Sequence, residues 1–141
     1  MKWSEVIKEH FNKDVPFLTY MGMEVEETSE GFAKIRIPSK EEYANTYGIT
    51  HGGICALLVD TVIGVALRTL KLHVLTIETN TCYFKPAQLT DTLYATAWVV
   101  KKGNKILHSE AKIVNQKDEL IGNGKAIYYV TGIDEEAQKY E

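Results

Sequence analysis

From Gly52 to Leu67 the chain reads GGICALLVDTVIGVAL, sixteen residues with a single charged side chain, Asp60. No other feature restricts the fold as strongly. A helix over this run is apolar on every face, so most of its surface has to be covered by protein. Extended to Leu70, it reaches roughly 16 to 18 residues, or ~25 Å. A membrane span is excluded, because the most apolar part, Ile54 to Leu67, offers about 14 residues where ~20 are needed and carries an aspartate at its middle. The rest of the chain must therefore supply the cover.

That cover reads as β-structure. Residues 20–27 and 32–37 alternate, with Ala33, Ile35 and Ile37 on one face and Phe32, Lys34 and Arg36 on the other, and Ser29-Glu30-Gly31 forms a turn between them. Residues 38–50 are polar, contain Asn45 and Gly48, and predict an irregular surface loop. After the helix come four strand-like runs, 72–84, 92–100, 106–114 and 120–130, joined by short turns such as Lys102-Gly103-Asn104. Trp3, Val6, Ile7 and Phe11, spaced three and four apart, predict a short N-terminal helix over about residues 4–12, with Pro16 as its outer limit. Residues 131–141 read as a polar tail that frays. Two strands, one buried helix and four strands make an α+β domain, an antiparallel sheet curled around the helix. It occupies the whole of residues 1–141, with its core at about 20–130.

Composition narrows the function. A chain of 141 residues with 45% hydrophobic and 25% charged side chains fits one sizeable core. Sixteen Lys and Arg against 19 Asp and Glu, scattered along the chain, give a net charge of −3 and argue against a nucleic-acid partner. Cys55 and Cys82 form no CxxC pair, and His10, His73 and His108 lack ligand spacing, so neither a disulfide framework nor a metal site is expected. Cys55, inside an apolar helix without a positioned histidine, reads as inert packing, and Cys82 in its strand reads the same way. The first ten residues alternate charged and single apolar side chains, unlike a signal peptide, and the expected compartment is the cytoplasm.

Asp60 carries the chemical signal. A carboxylate in an apolar helix loses hydration, which a fold tolerates when the charge is paired, hydrogen-bonded or used. The residue alone is compatible with a structural hydrogen bond or with a base or nucleophile in a water-poor pocket. His51-Gly52-Gly53 stands where the helix begins, and amides there have no internal acceptor, so a ligand carbonyl can approach them. Gly52 and Asp60 lie eight residues apart, or ~12 Å along one helix. A single reacting carbonyl cannot touch both. If both act on one substrate, they come from two copies of the helix running antiparallel, in a homodimer with two sites.

Asn45-Thr46-Tyr47-Gly48-Ile49-Thr50-His51-Gly52-Gly53, Asp60 in the following helix and Tyr83-Phe84-Lys85-Pro86-Ala87 beyond it resemble the PaaI-like acyl-CoA thioesterases of the hotdog fold. The resemblance covers roughly residues 20–130. It implies an acyl-CoA thioesterase with Asp60 as the catalytic carboxylate, Gly52 as the amide that polarises the thioester carbonyl, and His51 and Asn45 as residues that arrange the site and its water. Thr76 falls near a hydroxyl that holds the nucleophile in some relatives. It also implies homodimers that pair into tetramers, and no cofactor, coenzyme A being part of the substrate. Asp60 as general base and Asp60 as nucleophile both remain open. Arg68, Lys85, Lys101, Lys102 and Lys105 are the cations available for coenzyme A phosphates, and Leu57 and Ile63 are candidates for the acyl pocket. The rival readings are a hotdog enzyme acting on an acyl-carrier-protein substrate and a non-catalytic acyl-CoA-binding or dimerisation domain.

Overall fold

The computed structural model describes residues 1–141. Helices α1 (Trp3–Asp14) and α2 (Pro16–Met21) precede strands β1 (Glu24–Ser29) and β2 (Phe32–Pro38). The long helix α3 (Gly52–Arg68) follows, and then β3 (Leu72–Tyr83), β4 (Thr92–Lys102), β5 (Ile106–Val114) and β6 (Leu120–Ile133). The six strands form one sheet in the order β1-β2-β4-β5-β6-β3, and every neighbouring pair is antiparallel. The sheet curls around α3, which packs against β2, β3, β4, β5 and β6. This is the α+β hotdog architecture.

The alternation in the strands explains why one face closes on the helix. In β4, Leu93, Ala95 and Ala97 are fully buried, and in β5, Leu107, Ala111 and Ile113 are buried or nearly so. They meet Leu58, Val59, Val62, Ile63, Val65, Ala66 and Leu67 of α3. Burial of each large side chain contributes roughly 1.5–3 kcal/mol. Small residues bring helix and sheet together. A Cβ at Gly124 in β6 would lie 2.5 Å from a Val59 methyl carbon, so only glycine allows that approach.

The N-terminal region departs from the pattern read in the sequence. The first helix runs to Asp14, and residues 16–21, expected in part to begin a strand, form α2 with Pro16 at its first position and Gly22 as its left-handed C-cap. Strand β1 therefore starts at Glu24 rather than at Tyr20. The C-terminal tail does not fray. Asp134 is buried against Arg68 at 3.0 Å, Ala137 is fully buried in a 3-10 turn over Glu136–Lys139, and Tyr140 stacks on Trp3 with ring centroids 5.4 Å apart. No helix is long and apolar enough to cross a membrane.

Candidate active site

The start of α3 is built to leave one amide unused. His51 is the N-cap, and its Nδ1 accepts the Gly53 N–H at 2.8 Å, so the neutral ring carries its proton on Nε2. The Ile54 N–H goes to the His51 carbonyl. The Gly52 N–H has no acceptor within the chain. It stands at the positive end of the helix, where a developing negative charge is stabilised. The Tyr83 hydroxyl from the end of β3 donates to the Gly52 carbonyl at 2.8 Å, and its ring lies 3.3 Å from where a Gly52 Cβ would be. Asn45 faces the same place from the loop before α3. Its Oδ1 accepts the Tyr47 and Ile49 amides at 2.9 and 3.3 Å, which fixes the loop and leaves Nδ2 uncommitted. Asn45, Gly52, Cys55, Tyr83 and Phe84 line an open hollow of about 350 Å³.

Two turns further along α3, Asp60 is half-buried and held by hydroxyls from two strands. Thr76 Oγ1 donates to Asp60 Oδ1 at 2.8 Å. The Tyr128 hydroxyl lies 2.7 Å from the same oxygen and 2.7 Å from the Asp60 main-chain carbonyl. Thr76 and Tyr128 are directly paired across β3 and β6, so the register of one antiparallel ladder delivers both hydroxyls to one carboxylate oxygen. The other carboxylate oxygen has no partner in the chain. Burial pushes the Tyr128 phenol well above its ordinary range, and the adjacent Asp60 charge adds to the effect against an opposing contribution from Thr76. Tyr128 is therefore a proton donor at neutral pH.

The chain thus assembles two separate clusters, the candidate half-sites. Asp60 sits with Thr76 and Tyr128, while Gly52 sits with His51, Asn45 and Tyr83, and Asp60 does not line the hollow at Gly52. Tyr83 and Tyr128 were not singled out in the sequence; a Tyr-Phe-Lys-Pro segment pointed to the first only as part of a motif, and nothing local pointed to the second.

Several expected contacts take other partners. Arg68 is engaged by Asp134 and Lys85 by Glu119, which leaves Lys101, Lys102 and Lys105 as the exposed, unpaired cations of the five considered. Ile63 faces the sheet and is fully buried, so it belongs to the core and lines no pocket, whereas Leu57 is half-buried. Cys55 is buried, which pushes its thiol up to about 11 and keeps it protonated. Cys82, expected to be packed, is exposed, because its strand is the outermost of the sheet.

Known proteins match this fold. Residues 47–121, more than half of the chain, match the thioesterase superfamily model. An assumed esterase of Halobacterium salinarum is 35% identical over 113 residues, 74% of each chain. The acyl-coenzyme A thioesterase PaaI of Escherichia coli is 27% identical over 72% of each chain. The solved structure of the E. coli PaaI protein superposes with a TM-score of 0.88 at 21% identity, over 93% of this chain and 95% of that one. A hypothetical thioesterase protein of Streptococcus pneumoniae, solved with coenzyme A, superposes with a TM-score of 0.76 at 25% identity, over 79% of this chain and 87% of that one. It has also been solved as variants with an aspartate or a threonine replaced by alanine. The chain belongs to the thioesterase superfamily, as a PaaI-like member with the hotdog fold.

Proposed function

We propose that the protein hydrolyses acyl-CoA thioesters to a free acid and coenzyme A, at two equivalent sites of a homodimer. The observation that carries this reading is the state of Asp60. Two hydroxyls occupy one of its carboxylate oxygens and the other is free, in a helix that otherwise has no charge before Arg68. The aspartate and threonine replaced in the streptococcal variants are separated by the same number of residues as Asp60 and Thr76, which supports the pairing.

The separation of the half-sites and the sheet edge next to them support the dimer. A two-fold axis beside β3 pairs that strand with its copy and sets the two α3 helices antiparallel, so that Asp60 faces Gly52 of the partner subunit. Dimers of this kind are expected to associate further into tetramers, as the family resemblance implies. The thioester carbonyl oxygen accepts the free Gly52 N–H, and the free Asp60 oxygen lies on the other side of the carbonyl carbon. By one route Asp60 takes a proton from water while the water oxygen attacks. By the other, Asp60 attacks directly to give an anhydride that water then opens. In the first route the tetrahedral adduct collapses with cleavage of the C–S bond; in the second that cleavage forms the anhydride, before water opens it to the free acid; in both the departing thiolate takes up a proton. One well-placed amide donor lowers such a barrier by ~3 kcal/mol. His51, by capping Gly53, leaves the Gly52 amide free, and Lys101, Lys102 and Lys105 are the available cations for the nucleotide phosphates.

The test is release of free coenzyme A from phenylacetyl-CoA, benzoyl-CoA and straight-chain acyl-CoAs of rising length, by wild type and Asp60→Asn. Turnover in wild type that disappears in the variant is the expected result. Equal turnover in both removes Asp60 from the reaction, and no turnover in a folded wild-type dimer shifts the substrate to an acyl carrier or the role to binding.

A further inference from the structure

Tyr128 is 4% exposed, whereas Thr76, the other tie on Asp60, lies on the exposed outermost strand. A hydrogen bond shielded from water is the stronger constraint. The phenol proton is shared between two acceptors of one residue, the Asp60 side-chain oxygen and the Asp60 main-chain carbonyl, each at 2.7 Å. Such a contact fixes the carboxylate relative to its own helix backbone. The space for it comes from Gly64, one turn beyond Asp60 on the same face. A Cβ there would stand 3.3 Å from the Tyr128 hydroxyl but 4.0 Å from the ring carbon that bears it.

We propose that Tyr128 is a positioning residue for Asp60: seated over Gly64, its phenol holds one carboxylate oxygen and thereby leaves the other as the reacting oxygen. The inference rests on the reading of Asp60 as the reacting group. Thr76 restrains the same oxygen from the strand edge, and Tyr128 restrains it from the core. Without the phenol, the carboxylate turns about a single remaining tie, and fewer substrate encounters find the free oxygen aligned. Neither Tyr128 nor Gly64 lines the hollow at Gly52, so substrate binding is expected to be independent of both.

The experiment compares wild type, Tyr128→Phe, Gly64→Ala, the double variant and Asp60→Asn on the acyl-CoA of the series above that wild type turns over fastest. Tyr128→Phe is expected to lower kcat about tenfold, the scale of a hydrogen bond to a charged group, with KM unchanged. Gly64→Ala displaces the hydroxyl by a few tenths of an ångström and lowers kcat several-fold. In the Tyr128→Phe background it has no further effect, because the atom it crowds is gone. That coupling is the readout a packing role would not produce. Retention of wild-type kcat by Tyr128→Phe while Asp60→Asn is inactive overturns the proposal. So does a rise in KM at constant kcat, or a Gly64→Ala loss that persists in the double variant. Full activity of Asp60→Asn, or no turnover of any member by wild type, instead overturns the reading on which the proposal stands.

Discussion

The sheet has two edges, and the chain treats them differently. At β1 the edge is short and covered. The Asn12 side chain of α1 pairs with Val25 as a neighbouring strand would, donating Nδ2–H to its carbonyl at 2.9 Å and accepting its N–H at 2.8 Å. The Thr28 hydroxyl donates to the Ser4 carbonyl at 2.7 Å, and Glu24, Glu26 and Glu27 place negative charge along the strand. At β3 the edge is 12 residues long and unpaired by any further strand, and Leu75 and Ile77 are 65% and 55% exposed. An uncovered strand of that length invites another chain, and folds normally blunt such edges with charge, proline or a covering element. The contrast supports the proposed pairing at the open edge. The open edge also carries Thr76 and ends at Tyr83, the strand residues that touch the two half-sites.

The largest effect is therefore expected from closing β3. Leu75→Lys with Ile77→Lys places two charges on the open strand without touching the core, and should give a folded monomer by circular dichroism and sedimentation, with coenzyme A release at background. A folded monomer with wild-type turnover would show that one chain contains a complete site. A smaller effect sharpens the same point. Asp60→Asn and Gly52→Pro are each expected to be inactive, the second because proline removes the amide proton. Mixed and allowed to exchange, they should recover about a quarter of wild-type activity, since half of random dimers are mixed and each of those has one intact site of two. No recovery despite exchange shown by mass spectrometry would place both groups of one site in the same subunit.

What could be read in advance divides along physical lines. Helix α3 was legible because sixteen nearly uncharged residues admit few other arrangements, and β5 because Ile106 to Val114 alternates without a break. Helix α2 was not, since six residues give too short a period to detect, and the αL cap at Gly22 that ends it depends on backbone geometry. The polar tail misled because Asp134 is polar and buried at once, its partner Arg68 lying 66 positions away. In the candidate site, Asp60 stood out as the lone charge of α3, and Gly52 as part of a glycine pair at its start. Tyr128 did not, because its place opposite Thr76 depends on irregularities in the β3–β6 register at His73/Val74 and Thr76/Glu78, and 68 positions separate it from Asp60.

The covered edge supplies the control for the open one, and the smallest effect. Asn12→Ala removes both side-chain bonds to Val25 and leaves the N–H and carbonyl of that residue without their partner. Two neutral hydrogen bonds at a half-buried position contribute about 1–2 kcal/mol in net terms, because water takes over part of their role. The melting temperature should fall by a few degrees. Neither the dimer nor kcat should change, since β1 lies at the opposite end of the sheet order from β3 and Asn12 bonds to Val25, outside both half-sites. Thermal denaturation, sedimentation and coenzyme A release on the same preparation check all three. A loss of dimer on Asn12→Ala would mean that the β1 edge also takes part in pairing, and the two edges would then differ in degree rather than in purpose.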